Sequence, residues 1–410
     1  MNLFTLIILT LGLCATNNLA YKTKEKVVYC FWATWATSRP GNGQFKVEDL
    51  NVHMCTHIAY SFFGIDDEGF IKSLEPSLDF PDGKDYLRKF SGLKQKNPDL
   101  KTIIAVGGWG EGSKKYSVMA ANKTLRANFI NSALKIILDY DMCGMELDWE
   151  YPNSRDTVYG KEDVENFTQL LKEFRETFDK YGLILTAAVA AVEEAASQFY
   201  DIKGISQYLD YINIMSYDLH GPWDTVTGYN AALHKGEGEE DIPKETLFTV
   251  DVAIDYWIKS GAPRSKILLG VPFYGHSFKL EDANNHNVKS NATGPGIEGP
   301  YTLSPGSVGY NEFCIMLETE DWNVKYDDKA KVPYAYRGSD WVSYDDPQSI
   351  RIKAQYARNR NLGGVMLWSI DTDDFRAECG QEDYPLLRAV NRGLRREIPP
   401  PNPNLVSNNY

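Results

Sequence analysis

Short apolar runs recur along the chain, and each is followed by a polar or helical stretch. Eight of them are rich in Val, Ile and Leu: KVVYCFW (26–32), THIAYSFFG (56–64), KTIIAVGGW (101–109), DMCGMELDW (141–149), LILTAAVAA (183–191), YINIMSY (211–217), KILLGVPFY (266–274) and GGVMLWSI (363–370). Near-continuous apolar runs favour parallel strands that are buried on both faces. Several intervening segments, such as NKTLRANFINSALKIILDY, look helical. Eight alternating strands and helices predict an α/β fold, a TIM (β/α)8 barrel.

An open, doubly wound sheet is the main alternative to a barrel. That fold carries a Gly-rich phosphate-binding turn after its first strand. No Gly-rich turn of this kind follows KVVYCFW. The barrel is therefore the favoured interpretation.

The interval between the seventh and eighth runs is too long for a single helical crossover, at about 90 residues. It contains YTLSPGSVGYNEF and VPYAYRGSDWVSYDD, which are rich in aromatic and turn-forming residues. We interpret residues 275–345 as a small α+β insertion between strands 7 and 8 that could form one wall of a cleft. The barrel then comprises residues 21–274 and 346–395, and the Pro- and Asn-rich residues 396–410 are expected to form a disordered tail.

The first 20 residues contain an apolar run followed by small and polar residues, which is typical of a secretory signal peptide. The run is short for a membrane span, although no Lys or Arg precedes it. We therefore expect residues 1–20 to be removed and the protein to be secreted and soluble.

Charge narrows the choice of partner. The chain of 410 residues carries 43 Lys and Arg against 56 Asp and Glu, a net charge of −13. An acidic chain without a basic cluster is a poor candidate for binding nucleic acid or an anionic membrane. The six histidines do not fall at metal-ligand spacing, so neither a metal nor a cofactor is expected. A neutral partner fits best, and we expect a monomer.

The segment CGMELDWEYP (143–152) places Glu146, Asp148 and Glu150 at every second position, with apolar residues between them. On a strand all three acids would point to one face, where like charges are unfavourable. If that face is the barrel interior, crowding keeps one carboxyl protonated near neutral pH. Glu150, at the open end, would then be a general acid suited to a glycosidic oxygen. The alternative is a solvated acidic strand edge.

Aromatic side chains gather at the ends of the same runs, where the active site of a TIM barrel lies. Their flat apolar faces can stack on sugar rings, although any single one could instead pack in the core. These residues include Trp32, Trp35, Phe62, Trp109, Tyr217, Tyr274 and Trp368.

The motifs GMELDWEYP, AVGGW, MSYDLHGPWD, GVPFYGHSF and GGVMLWSIDTDDF occur in this order. Together they resemble glycoside hydrolase family 18, the chitinases and chitinase-like proteins of animals. The resemblance runs from about Val27 to Leu387. It implies a TIM barrel with a small α+β insertion before the last strand, and chitin or chito-oligosaccharides as the ligand.

The resemblance also implies a catalytic set. Glu150 matches the acid that protonates the leaving oxygen, and Asp148 matches the residue that orients the substrate's N-acetyl group. The acetamido carbonyl oxygen then attacks the anomeric carbon, so a second carboxylate nucleophile is not needed. Tyr217 matches the tyrosine that hydrogen-bonds the acetamido oxygen. Glu146 occupies the position that exchanges a proton with Asp148.

The resemblance further implies a set of substrate-binding residues. Trp368 would lie under the sugar being cleaved, Trp35 and Trp109 would stack sugars on the non-reducing side, and Trp223 would stack one on the reducing side. Met215 and Met366 would line the pocket floor. Four further side chains complete the set: Tyr151, Asp218, Tyr274 and His276.

Six cysteines occur, and Cys14 would leave with the signal peptide, so an odd number remains. The pairs Cys30–Cys55 and Cys314–Cys379 match the family's two disulfides, which leaves Cys143 over. Three sequons, at Asn122, Asn166 and Asn291, predict N-glycosylation in a eukaryotic secretory pathway.

Three positions depart from the family pattern. Cys143 and Glu146 stand where its signature has aspartates, and His276 stands where YGRSF has an arginine. We expect a secreted endo-acting chitinase that hydrolyses β-1,4-linked N-acetylglucosamine polymers with retention. The departures leave two alternatives open: a chitin-binding, lectin-like protein with weak or no hydrolysis, and an enzyme for other N-acetylglucosamine glycans.

Overall fold

The structure is a computed structural model that describes residues 25–243, 246–403 and 405. The predicted signal peptide lies outside the described residues, as do residues 406–410 of the predicted tail. No helix within the described ranges is both long enough and apolar enough to cross a membrane.

Fifteen strands occur in the described part of the chain. In chain order they are β1 (Val27–Ala33), β2 (His57–Ile65), β3 (Ile71–Ser73), β4 (Lys101–Gly107), β5 (Gly144–Asp148), β6 (Ile184–Ala190), β7 (Tyr211–Met215), β8 (Ile267–Pro272), β9 (Tyr274–Leu280), β10 (Ala292–Pro295), β11 (Ser307–Gly309), β12 (Asn323–Asp327), β13 (Val332–Arg337), β14 (Asp340–Ser343) and β15 (Gly364–Trp368).

Eleven α-helices occur in the same ranges. They are α1 (Pro76–Asp79), α2 (Tyr86–Ser91), α3 (Lys114–Ala121), α4 (Lys123–Asp139), α5 (Glu162–Phe178), α6 (Glu193–Phe199), α7 (Ile202–Tyr208), α8 (Val250–Lys259), α9 (Tyr310–Thr319), α10 (Pro347–Asn359) and α11 (Pro385–Leu394).

Eight parallel strands close into a barrel, in the order β1, β2, β4, β5, β6, β7, β8 and β15. The closure is direct because β1 pairs in parallel with both β2 and β15. Each of the eight apolar runs contains one barrel strand, so the predicted TIM barrel is confirmed. β3 lies outside the barrel, where it pairs antiparallel with the end of β2.

A second, antiparallel sheet lies between the seventh and eighth barrel strands, as predicted. Its strands run in the order β10, β9, β14, β13 and β12, and β11 also pairs with β9. The sheet encloses its own apolar cluster, in which Trp341 packs against Phe278 and Tyr334. Because β9 starts at Tyr274, directly after β8, the sheet grows from a strand end at the mouth of the barrel.

Two disulfides join the pairs that the resemblance implied. Cys30 is bonded to Cys55 and Cys314 to Cys379. The expectation that Cys143 would be left over is wrong, because Cys143 is also disulfide-bonded and no free cysteine occurs among the described residues.

The three sequon asparagines lie in different surroundings. Asn122 is exposed and caps α4, where its side-chain oxygen accepts the backbone N–H of Thr124. Asn166 is half-buried on α5. Asn291 is exposed, but its side-chain amide donates to Glu281 at 2.9 Å. Glycosylation at these positions stays a prediction.

Candidate active site

The three acids of β5 and its C-terminal extension are the centre of the candidate site. Glu146 and Asp148 are 0% and 4% exposed, and Glu150, two residues past the end of β5, is partly exposed. β5 lies between β4 and β6 inside the closed barrel. The alternative of a solvated acidic strand edge is therefore wrong.

The intervening residues of the motif face the surrounding helices. Trp149 is buried against Tyr116 of α3 and Phe167 of α5, and its indole N–H donates to Ser113 at 3.1 Å. This packing fixes which face of the segment points outward. Because side chains alternate along a strand, it also commits the acids to the interior.

Glu146 is held by three donors inside the barrel. Its Oε2 accepts from Tyr29 at 3.2 Å, from Asn213 at 3.1 Å and from the Thr186 hydroxyl. Its Oε1 has no hydrogen-bond partner. Burial raises the pKa of Glu146 to about 8, although the three hydrogen bonds oppose that rise. A carboxyl with this pKa carries a proton at neutral pH.

Asp148 lies between the other two acids in sequence, and its Oδ1 also lacks a partner. Burial raises its pKa well above the usual range, and the charges of Glu150 and Glu146 raise it further. Its backbone approaches β4 closely: a Cβ on Gly107 would lie 2.1 Å from the Asp148 carbonyl oxygen, and Gly107 has φ of +121°. Only glycine fits there, which explains the first glycine of the GGW motif.

Glu150 reaches the cavity and has the environment of a proton donor. Burial raises its pKa to about 7, and the charge of Asp218 contributes to the rise. Hydrogen bonds from the Tyr151 side chain and the Trp109 backbone, with the positive charge of Arg155, lower it. The balance leaves this carboxyl able both to give and to take a proton near neutral pH.

A cavity of about 1180 Å³ opens above these acids. Ten of the predicted site residues line it: Trp35, Trp109, Asp148, Glu150, Tyr151, Met215, Tyr217, Asp218, Trp223 and Trp368. A smaller adjoining pocket of about 260 Å³ is lined by Tyr274 and His276, together with Trp35, Asp218 and Trp368. The structure thus brings twelve predicted residues to one mouth. Glu146 and Met366 are fully buried and line neither pocket.

Trp368 lies in a cluster of aromatic rings at the mouth of the barrel. Its ring is stacked on Phe62 with centroids 5.6 Å apart, and tilted rings of Phe31 and Trp35 lie at 5.6 and 6.1 Å. Phe62, one of the aromatic residues expected at the strand ends, and Phe31, which the sequence analysis missed, both line the cavity. Trp32 is different: it is 0% exposed and packs with Tyr60 and Phe90, so it belongs to the core.

A polar wall, formed by Asp218, Tyr274 and His276, lies beside this aromatic cluster. Asp218 Oδ1 accepts a hydrogen bond from Tyr274 and lies 2.7 Å from His276 Nε2. The edge of Trp223 meets the His276 ring at 5.0 Å between centroids, and Trp223 is 60% exposed. His276, which stands in place of the arginine of the family pattern, therefore contacts Asp218.

Tyr217 lies between this wall and the buried acids. Its hydroxyl contacts Met366 Sδ at 3.6 Å. Burial, together with the charges of Asp148 and Asp218, raises its pKa well above the usual range. Its phenol therefore stays protonated and can donate a hydrogen bond to a ligand.

Comparisons with known proteins agree with this geometry. The sequence profile of glycosyl hydrolases family 18 matches residues 27–373. Probable chitinase 2 of Drosophila melanogaster is 39% identical over 417 residues, which cover 93% of this chain and 84% of that protein. The crystal structure of Ostrinia furnacalis Group IV chitinase in complex with allosamidin is 50% identical, with a TM-score of 0.89, over 90% of this chain and 99% of that one.

A similar structure also exists among proteins described as inactive. Human YKL-39, described as a pseudo-chitinase with retained chitooligosaccharide binding properties, is 34% identical with a TM-score of 0.83. The match covers 90% of this chain and all of that one, at 100%. The fold alone therefore does not separate hydrolysis from binding.

The raised pKa of Glu146 predicts a pH-dependent stability. Between its ordinary value of 4.5 and about 8, the folded chain holds a proton that the unfolded chain releases. Stability therefore falls as pH rises through this window. Glu146→Gln lacks this proton, so its free energy of unfolding relative to the parent should improve by on the order of 2–4 kcal/mol from pH 5 to pH 8.

Urea titrations at several pH values give the free energy of unfolding, and its slope against pH is the quantity to compare. The amide of Glu146→Gln faces three donors, which lowers the free energy of unfolding by an amount that does not change with pH. Glu165→Gln, at an exposed position on α5, is the control and should follow the parent. Parallel curves for parent and Glu146→Gln would mean that Glu146 is ionised in the folded protein.

Proposed function

The chain belongs to glycosyl hydrolases family 18, and on that premise we propose that it is an endo-acting chitinase, which cleaves internal bonds of β-1,4-linked N-acetylglucosamine polymers and retains the anomeric configuration. The observation that carries the proposal is the alignment of Glu146 and Asp148 on β5 with Glu150 just past its end, at the aromatic cavity. A donor carboxyl with a pKa of about 7 suits protonation of a glycosidic oxygen.

In the proposed first step, Glu150 gives its proton to the glycosidic oxygen as the bond to the anomeric carbon breaks. The carbonyl oxygen of the substrate's own acetamido group attacks that carbon from the opposite side. Asp148 orients the acetamido N–H, and the Tyr217 hydroxyl donates to the acetamido oxygen. No second carboxylate nucleophile is required, as is known for substrate-assisted glycosidases.

In the second step, a water attacks the same carbon, the bond between that carbon and the acetamido oxygen breaks, and Glu150 accepts the water's proton. Two inversions at one carbon give net retention. Asp148 lies between Glu146 and Glu150 in sequence, so a proton can move among the three carboxyls as positive charge develops on the acetamido nitrogen. Burial strengthens each of these interactions because water does not screen them.

Internal cleavage is supported by where the exposed tryptophans lie. Trp109 follows β4 and Trp223 follows β7, and both line the cavity at 61% and 60% exposed. Glu150 follows β5, which lies between them in the barrel order. A polymer stacked on both rings would cross the acid, as an endo-acting enzyme requires.

We also propose that the protein is secreted and acts as a monomer. The apolar N-terminal run of the sequence and the two disulfides suit an oxidising compartment.

The second candidate function is a binding protein with weak or no hydrolysis. The observations in its favour are the departures at Cys143, Glu146 and His276, together with the likeness to a pseudo-chitinase. All three departures leave Glu150, Asp148 and Tyr217 in place, which favours the enzyme. An enzyme for other N-acetylglucosamine glycans would use the same acids and differ only in its stacking residues.

Glu150→Gln should abolish hydrolysis and leave chito-oligosaccharide binding within about threefold of the parent, because it removes the proton donor and keeps the shape. Release of fluorophore from a fluorogenic chitobioside measures the first effect, and titration calorimetry with N-acetylchitohexaose measures the second. Glu165→Gln should behave as the parent in both assays. A parent that binds the hexamer but releases no fluorophore would favour the binding protein, and turnover by Glu150→Gln would remove the assigned role.

The raised pKa of Glu150 predicts a rate that is high at weakly acidic pH and falls as pH rises through about 7. The reactive form is the protonated one, so activity is present below that pKa and lost above it. Burial is the main cause of this raised pKa and the charge of Asp218 adds to it, so Asp218→Asn should move the alkaline limb of kcat to lower pH. An alkaline limb that stays at the parent's pH in Asp218→Asn would contradict the assignment.

A further inference from the structure

Arg155 contacts two parts of the candidate site, and the proposed reaction gives it no role. Its guanidinium lies over the indole of Trp109, with the central carbon 3.8 Å from the ring centroid. Its Nη1 donates to the backbone oxygen of Trp109 at 2.7 Å and to that of Glu150 at 3.1 Å. One side chain thus joins the exposed tryptophan to the backbone of the candidate acid.

The loop that carries Arg155 follows β5 and is fixed at several points. Asp156, its neighbour, accepts the backbone N–H of Ser113 at 2.8 Å. Asn153 donates to the backbone of Gln198 at 3.0 Å. Arg155 itself has φ of +64°, a conformation that non-glycine residues rarely adopt. These contacts hold the backbone of the loop from which the Arg155 side chain projects, and the contacts to Trp109 and Glu150 then place its guanidinium.

Trp109 needs support because most of its ring is in solvent, at 61% exposed. It follows Gly107 and Gly108, which restrict its own backbone little, and it lines the cavity. A cation over one face of an indole is attracted to the ring electrons and holds the ring in one orientation. The guanidinium takes one face and leaves the other for a sugar.

We propose that Arg155 is a positioning residue that fixes Trp109 as a stacking surface for the polymer and ties that surface to the Glu150 backbone. The inference rests on the proposed function. It identifies a residue that sets affinity for long chains without touching the reacting atoms. A sugar seated on Trp109 is then held in register with the bond above Glu150.

Arginine suits this position better than lysine. Its planar guanidinium can stack on the indole while its N–H groups donate in the same plane, whereas an ammonium is a compact point charge. Arg155→Lys therefore keeps the positive charge near Glu150 but loses the stacked plane. Arg155→Gln loses both. All three residues face the same strain at positive φ, so backbone strain does not distinguish them.

The test is calorimetric binding of N-acetylchitohexaose and N,N′-diacetylchitobiose to proteins that carry Glu150→Gln, so that the ligand stays intact. Arg155→Gln and Arg155→Lys should each weaken hexamer binding about two- to fivefold. Both should weaken binding of the disaccharide less than binding of the hexamer, because a disaccharide spans fewer of the stacking residues. Arg337→Gln is the matched control, because Arg337 stacks on Trp322 at 4.7 Å within the second sheet.

A double-mutant cycle separates support of Trp109 from a general effect on the loop. In the Trp109→Ala background the ring is gone while the backbone contacts remain, so Arg155→Gln should no longer weaken hexamer binding. With Glu150 restored, the alkaline limb of kcat should move to higher pH in Arg155→Gln and stay in place in Arg155→Lys, because only the first loses the charge that lowers the pKa of Glu150.

Equal hexamer affinity in parent and Arg155→Gln would overturn the inference and leave the proposed function intact. An undiminished effect of Arg155→Gln in the Trp109→Ala background would overturn it too. Failure of the Glu150→Gln parent to bind the hexamer would overturn the proposed function and the inference with it.

Discussion

The burial of Glu146 and Asp148 on β5, with Glu150 two residues past its end, is the constraint on which the rest of the site depends. Glu146 and Asp148 have almost no exposure, and no cation is paired with either among the described residues. Isolated buried charges are strongly unfavourable, so burial raises the pKa of both carboxyls. Asp148 and Glu150 both line the cavity, whereas Glu146 is fully buried and does not line it.

Packing around β5 enforces this arrangement. Trp149 fills the space between α3 and α5 and cannot turn inward without emptying that contact. Gly107 lets β4 approach the Asp148 backbone, where any side chain would collide. At the mouth of the barrel, Trp368 and Phe62 stack on each other and line the same cavity as Asp148 and Glu150. The chemistry therefore follows from the packing of the barrel and of its neighbouring helices.

Much of the fold could be predicted from the sequence, because parallel buried strands leave long apolar runs and the insertion leaves an overlong gap. The inward direction of Glu146, Asp148 and Glu150 also follows from simple alternation. Trp32 and Trp35 show the limit: three residues apart, one is core and the other is 41% exposed at the cavity. That difference depends on where β1 ends, which the pattern does not fix to the residue. The role of Arg155 depends on loop geometry, and a single exposed arginine leaves no periodic signal.

One of the departures from the family pattern, Glu146, lies among the three acids. Glu146 is one methylene longer than aspartate and uses that length to reach Tyr29, Thr186 and Asn213. Whether these three acids support hydrolysis depends on the protonation of Glu150. Infrared difference spectra of parent minus Glu150→Gln, recorded across pH, measure that carboxyl directly. The account predicts a protonated-carboxyl band that disappears near pH 7, and disappearance near the ordinary value of 4.5 would contradict it.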